Sequence, residues 1–278
     1  MTEDGATDLY GLVGHPVAHS RSPLIHRRFA EQTGQRIEFE LIDVEPGHFE
    51  QEVARFRQRG GRGLNITLPY KSDAFRFADR LSERALQAEA VNTLTWPEHG
   101  EVFGDNTDGT GLVTDLQVNL DIRLSGIRIL LMGAGGAARG ALGPLCASQP
   151  AEIIVANRTF DRATALAKRF SGKVPVVACD YADLDGRFDL IINATSASLA
   201  GEMPPLPRNI VGKDTVAYDM MYQSGPTAFM RWASTHGAAT VADGVGMLVE
   251  QAAESFRLWR GVRPKTQTVR GEIRQRLR

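Results

Sequence analysis

"IRILLMGAGGAARGALGPLCA", residues 127–147, decides the fold. It reads as a continuous apolar strand, a glycine turn and a helix of small residues. An apolar run without polar alternation suits a strand buried on both faces, as in a parallel sheet. Gly133, Gly135 and Ala138 hold the G-x-G-x-x-G/A spacing. That spacing alone is weak, because small residues crowd many strand–helix turns. Here it follows a predicted strand and opens a predicted helix, the context that makes it a dinucleotide signature rather than a structural turn. The glycines let backbone approach a pyrophosphate, and the helix start supplies free N–H groups and a positive dipole end. Gly133, Ala134, Gly135, Gly136 and Ala137 are the cofactor-contacting candidates.

The neighbouring segments fit the same layer. "EIIVANR" (152–158), "VPVVAC" (174–179), "FDLIINAT" (188–195) and "TVAYDM" (215–220) are further short apolar strands. An NAD site carries an acid about 20 residues beyond the glycine loop, at the end of the second strand. Here that position reads "ANRTFDRA", with Asn157, Arg158 and Thr159, and Arg162 one turn later. Guanidinium groups grip phosphate through paired hydrogen bonds, so the 2′-phosphate of NADP is the expected partner. The competing reading is two surface arginines at a helix start, where the dipole disfavours them. Asp161 is read as a first-turn helix acid.

Upstream the pattern changes. Strands are predicted at 10–14, 37–44 and 63–67, and helices at 22–34 and 47–60, with two helical pieces at 71–79 and 82–90. "AVNTLTW" and "EVFGDN" read as paired strands joined by the turn at Pro97 to Gly100. Pro23 starts the first helix and Gly34 stops it. Alternating strands and helices define an α/β layered domain. "GMLVEQAAESFRLWRGV" (246–262) is an amphipathic helix expected to pack back on this first domain. The expected architecture is two α/β domains with a cleft between them. Residues 1–110, completed by 246–278, form the first, and 111–245 form a Rossmann-type second. Gly109 and Gly111, near the crossing, would permit closure.

Bulk properties exclude several classes. The 278 residues are 42% hydrophobic and 23% charged with net charge −1, so nothing in the balance points to nucleic acid or an anionic membrane. The basic tail "RGVRPKTQTVRGEIRQRLR" reads as a solvated helix face with cations at its C-terminal end. No apolar run approaches the ~18 residues of a membrane span. The N-terminus lacks the charged and apolar regions of a signal peptide. Cys146 and Cys179 have no CxxC partner and read as small buried hydrophobes, consistent with a reducing cytoplasm. No His/Cys cluster has metal-ligand spacing. The expected partner is a small molecule, with monomer and homodimer both open.

Four polar clusters are hard to explain by folding alone. "HSRSP" sets Ser20 and Ser22 before a helix, which Ser22 could cap. "NITLPYK" sets Asn65, Thr67 and Lys71 at the carboxyl end of a strand, where open α/β sheets bind ligands. "AVNT" sets Asn92 in an apolar strand, where an unpaired amide would cost ~1–3 kcal/mol. "GDNTDG" (104–109) adds Asp105, Asn106 and Asp108. A calcium loop needs oxygen ligands at positions 1, 3 and 5 and then glycine. Counting from Asp105 puts Gly109 fifth, so that reading fails.

"GHPVAHSRSPLIH", "GLNITLPYK", "AEAVNTL", "GDNTDGTGL", "GAGGAARG", "ANRTFDRA", "FDLIINATS" and "ADGVGMLVEQAA" stand in this order. Together they resemble the shikimate dehydrogenase family, from about residue 10 to 262. The resemblance implies reduction of 3-dehydroshikimate to shikimate with NADPH, on the route to aromatic amino acids. It implies substrate in the first domain and NADP in the second. Ser20 and Ser22 would hold the substrate carboxylate, and Asn65, Thr67, Asn92 and Gln251 its hydroxyls and carbonyl region. Lys71 and Asp108 would be the catalytic pair. Tyr222 and Met220 would line the junction of substrate and nicotinamide, with Gly244 beneath the nicotinamide. Glu83 matches a position associated with the cofactor. Asp105, Asn106 and Thr107 are then expected to shape the turn.

One position departs from the pattern: Ser198 in "NATSAS" stands where the family has glycine. His15, His19 and His26 are read as loop or surface residues without a role. Two rivals remain, an NAD-using quinate/shikimate dehydrogenase and a non-catalytic binding module. The two arginines oppose the first, and intact Lys71 and Asp108 oppose the second.

Overall fold

The computed structural model describes residues 7–97, 100–170, 172, 174–195, 197 and 201–277. Ser198 lies outside the described residues. The chain divides into two compact units, Met1–Gly111 with Val249–Ile273 and Leu112–Leu248 with Arg274–Arg278.

In the first unit the elements run β1 (Asp8–Gly14), α1 (Ser22–Thr33), β2 (Ile37–Asp43), α2 (Phe49–Gln58), β3 (Gly61–Ile66), α3 (Lys71–Phe77), β4 (Arg80–Leu81), α4 (Glu83–Ala88), β5 (Thr93–Thr95) and β6 (Phe103–Asp105). The sheet order is β2-β1-β3-β5-β6-β4. β1 lies parallel to β2 and β3, whereas β5 runs antiparallel to both β3 and β6. Asn65 therefore pairs with Thr93, and Thr93 with Asp105. The carboxyl end of β3, the start of β5 and the end of β6 meet along one row. Gly34 does stop α1, in left-handed backbone at φ 64°. Val13, Leu64, Ile66 and Leu94 face a core shared with Val53 and Phe56 of α2.

The second unit continues through α5 (Asp108–Thr114), β7 (Arg128–Met132), α6 (Gly136–Ala147), β8 (Glu152–Ala156), α7 (Phe160–Arg169), β9 (Val176–Cys179), β10 (Leu190–Asn193), β11 (Val216–Asp219), α8 (Ala228–Thr235), β12 (Thr240–Ala242), α9 (Val245–Arg260) and α10 (Gln267–Arg276); α5, α9 and α10 each have residues in both units. The sheet order β12-β11-β10-β7-β8-β9 is parallel throughout, the doubly wound dinucleotide-binding order. Both faces are covered: Ile129 and Leu131 join one core, Leu130 and Met132 the other. That is why β7 shows no polar alternation. Ala138, Gly140 and Ala141 are buried on α6, so the helix packs closely on the sheet.

From Val249 onward, α9 belongs to the first unit. Trp259 stacks on Tyr10 at 4.6 Å and donates to the Leu94 carbonyl, and Arg260 pairs with Asp8. The basic tail is not wholly solvated: α10 ends in Arg274 and Arg276 as expected, but buries Val269 and Ile273. Strand β12 and helix α8 had no clear sequence signal.

Three readings need correction. His26 is fully buried, not a surface residue. Ser22 does not cap α1: the cap position is Arg21, without a side-chain bond, and Ser20 Oγ accepts from the Ser22 N–H. Gly111 packs closely: a Cβ there would lie 2.6 Å from the Gln251 nitrogen. Cys146 and Cys179 are half-buried rather than core residues, and burial raises the Cys146 thiol to about 11.

Candidate active site

The polar residues of the first unit gather where its strand ends meet. Lys71 opens α3 and Asp108 opens α5. A cation at a helix start is opposed by the dipole, and an anion there is favoured. The two side chains resolve this together: Lys71 Nζ donates to Asp108 Oδ2 at 2.5 Å. Both are mostly shielded, with side-chain exposures of 24% and 10%. Such a pair is held more firmly than a surface ion pair.

Asp108 is held from its other oxygen. Asn92 Nδ2 donates to Asp108 Oδ1 and to Thr107 Oγ1, each at 2.8 Å, with Gln251 Oε1 at 3.2 Å. The Thr107 backbone N–H donates to Asn92 Oδ1 at 2.8 Å, so the amide orientation is determined. Thr93 Oγ1 donates to the same oxygen at 3.0 Å. Asn65 Nδ2 lies 3.1 Å from Ser255 Oγ and 3.3 Å from Thr93 Oγ1, and Asn65 Oδ1 faces His26 Nε2 at 3.0 Å. Ser255 stands one turn after Gln251 on α9 and donates to its carbonyl. Buried amides and hydroxyls are thus joined into one network, as burial requires.

Asp105, Asn106 and Thr107 have structural bonds. Arg84 grips Asp105 with two bonds, at 2.6 and 2.7 Å, and also reaches Thr110 and Glu254. Asn106 Oδ1 accepts from the Asp108 N–H, and its amide donates to Ala90. Hydrogen bonds from Arg257, and then from Arg84, hold the Glu254 carboxyl down at about 2 despite burial.

Ser20 and Ser22 bond each other at 3.2 Å where β1 leads into α1. Thr67 follows β3, and its methyl touches Gly14: a Cβ on Gly14 would lie 2.3 Å from Thr67 Cγ2. The loop leading to the two serines and the loop leading to Lys71 can meet only because residue 14 has no side chain. Glu83 is exposed on α4 and accepts from Gln87, while its neighbour Arg84 enters the network. His26, Arg84, Thr93 and Ser255 were missed as network members. The available signal was spacing: His26 lies four residues after Ser22, and Ser255 four after Gln251, each on one helix face.

In the second unit the candidates sit on loops and helix starts that follow the carboxyl ends of parallel strands. Gly133 adopts φ +109°, a region that favours glycine, and its N–H donates to the Ala156 carbonyl at 2.7 Å. A Cβ on Gly135 would meet nothing within 4 Å. Asn157 donates to the Thr159 carbonyl and shapes the turn into α7. Arg158 and Arg162 are exposed there, with no ion pair among the described residues. Met220 and Tyr222 follow β11. Asp219, fully buried, accepts from Asn193, Thr227 and the Met221 N–H. A Cβ on Gly244 would lie 2.2 Å from the Met220 carbonyl, so glycine permits this contact. No cluster of His, Cys, Asp and Glu fit for a metal occurs among the described residues, and no described helix is long and apolar enough to cross a membrane.

The sheet order and the glycine loop define a dinucleotide-binding α/β protein, and the Lys71–Asp108 network adds a second polar centre. The profile described as "Shikimate dehydrogenase substrate binding domain" matches residues 12–94, "Shikimate / quinate 5-dehydrogenase" matches 116–201, and "Shikimate 5'-dehydrogenase C-terminal domain" matches 244–274. The shikimate dehydrogenase (NADP(+)) of Chromobacterium violaceum is 52% identical over 270 residues, 97% of this chain and 98% of that protein. An Ael1 enzyme from Pseudomonas putida aligns at TM-score 0.92 and 45% identity, covering 96% of this chain and 98% of that one. The Thermus thermophilus shikimate 5-dehydrogenase, solved with NADP(H) and shikimate, aligns at TM-score 0.87 and 34% identity, covering 98% and 100%. The chain belongs to the shikimate dehydrogenase family.

Proposed function

We propose that this protein is an NADP-dependent shikimate dehydrogenase. It reversibly reduces 3-dehydroshikimate to shikimate in the biosynthesis of aromatic amino acids. The observation that carries this reading is the shielded Lys71–Asp108 pair, anchored by Asn92, beside a chain that also holds a doubly wound dinucleotide-binding sheet.

The residues present fit NADP. The open space at Gly135 leaves room for a pyrophosphate against the N–H groups of α6. Arg158 and Arg162 are exposed cations without an ion-pair partner among the described residues, beyond the end of β8 where a 2′-phosphate is recognised. Gly133, Ala134, Gly135, Gly136 and Ala137 would hold the pyrophosphate region, Asn157, Arg158, Thr159 and Arg162 the adenosine end, and Met220 and Gly244 the nicotinamide. NADPH, when bound, supplies the hydride.

The first unit handles substrate and proton. Ser20 and Ser22 bind the carboxylate, while Asn65, Thr67, Asn92 and Gln251 receive the hydroxyls. Lys71, as ammonium, stabilises the developing alkoxide and delivers its proton. Asp108 keeps that ammonium in place, and Asn92 fixes Asp108. In the reverse direction Lys71 takes the hydroxyl proton. A cytoplasmic location accords with two free cysteines.

The test is the absorbance change of the cofactor on mixing the protein with shikimate or quinate, and NADP or NAD. Shikimate-dependent reduction of NADP, much faster than of NAD, is expected. No shikimate-dependent turnover with either cofactor would overturn the reading.

A further inference from the structure

His26 is a buried group that the mechanism above does not use. Its ring is fully buried, stacked on Phe39 at 4.4 Å and 7°, with Trp259 at 5.2 Å and Phe256 at 6.2 Å. Among the described residues it has one polar partner, Asn65 Oδ1 at 3.0 Å, and its Nδ1 has none. Burial, only partly offset by the Asn65 bond, pushes its pKa down to about 3, so the ring is neutral.

The network determines which nitrogen carries the proton. Asn65 Nδ2 faces the Asn92 carbonyl at 3.4 Å, which can only accept. The amide NH2 must therefore point that way, and Oδ1 must point at His26. A carbonyl oxygen needs a donor, so His26 holds its proton on Nε2. His26 Nε2 then donates to Asn65, whose amide donates toward Ser255 Oγ and Thr93 Oγ1, two hydroxyls that bond each other at 2.7 Å. Asn92, held separately by the Thr107 N–H, donates to Asp108 Oδ1. Asn65 Nδ2 has three contacts, at 3.1, 3.3 and 3.4 Å, for two hydrogens, so a substrate hydroxyl would take the place of one of them.

We infer that His26 is a positioning residue. Its Nε2–H locks the Asn65 amide and so aims the Asn65 donors at Thr93, Ser255 and the Asn92 carbonyl. The opposite tautomer would turn Asn65 Oδ1 toward the Asn92 carbonyl, oxygen against oxygen. What Asn65 and Asp108 do rests on the function proposed above, whereas the tautomer does not.

Two variants and one spectrum test this. His26→Phe keeps a ring against Phe39 and removes the donor. His26→Gln restores an N–H near the Nε2 position. His26→Phe is expected to lower kcat/KM for shikimate about tenfold, the loss of one hydrogen bond, with KM for NADP unchanged. His26→Gln should recover most of that loss. Wild-type kcat/KM in His26→Phe, or equal impairment in both variants, overturns the inference. Nitrogen NMR of the wild-type protein with labelled histidine covers the case of variants that do not fold. His26 should show a protonated Nε2 and a bare Nδ1, unchanged from about pH 8 to about pH 5. A proton on Nδ1, or titration in that range, overturns it. Wild-type protein without shikimate turnover would sink the functional reading instead, and the spectrum would still decide the tautomer.

Discussion

The two polar centres of this chain are built on opposite principles. Around Lys71 and Asp108 the side chains are buried and already bonded to one another, through Asn92, Thr107, Thr93 and Asn65. Around the glycine loop the groups are left open: Gly135 faces empty space, and Arg158 and Arg162 have no ion-pair partner among the described residues. The difference follows from the work proposed for each. Proton transfer needs donors and acceptors held in place before the substrate arrives, at the cost of burying them. A phosphate site needs donors whose partner is the ligand itself, which water satisfies in the free protein.

That contrast can be broken by substitution. The largest effect is expected at the pre-bonded centre. Lys71→Ala should lower kcat by ~10²–10⁴-fold, the usual yield of a positioned acid–base, while KM for shikimate changes little. Steady-state kinetics checks this, and near-normal kcat would remove Lys71 from the proton step. At the open centre the double change Arg158→Ala with Arg162→Ala should raise KM for NADP by ~10–100-fold and leave KM for NAD nearly unchanged. Kinetics with both cofactors, repeated at two salt concentrations, would show the preference for NADP shrinking. An equal effect on both cofactors would break the phosphate assignment.

The two glycines of the loop sharpen the comparison further. Gly133→Ala forces a side chain into φ +109° and against Thr195, and should cost about 2 kcal/mol of stability. Gly135→Ala, at φ −84° with nothing within 4 Å, should leave Tm unchanged and raise KM for NADP. A large Tm loss in Gly135→Ala would mean that the site is not open.

The last effect concerns pH. The pKa of His26 falls from the ordinary 6.5 to about 3 on folding. As pH drops below about 6.5 the unfolded chain takes up a proton that the folded protein refuses, so stability falls, by at most about 1.4 kcal/mol per pH unit. Glu254, lowered from 4.5 to about 2, adds loss in the same direction only at lower pH. Between about pH 6.5 and about pH 4.5 the histidine component should stand apart. Urea unfolding across that window should show a shallower slope for His26→Phe than for the wild type. Identical slopes would contradict burial of a neutral ring.

Much of the parallel layer was legible. Residues 127–132 and 188–195 read as strands because both faces are buried, so their apolar character needs no context. The antiparallel pair at "AVNTLTW" and "EVFGDN" was visible from its turn. β12 and α8, of three and eight residues, were not, being short. The candidate site was legible where a residue is out of place by local rules, as Lys71 is at a helix start or Asn92 in an apolar strand. It was illegible where a residue looks ordinary until its neighbours are known. His26 sits in a helix pattern like a surface histidine, and only Phe39, Phe256 and Trp259, far away in sequence, bury it.

The sequence by itself determined the class of each layer, the glycine loop and the residues able to carry charge or hydrogen bonds, because these depend on local pattern and side-chain chemistry. Only the tertiary structure decided which of those groups meet. β5 must run antiparallel to β3 before Asn92 can reach Asp108, and α9 must return before Ser255 and Gln251 join them. Hydrogen bonds act over about 3 Å, so their partners are chosen by packing and register rather than by order along the chain.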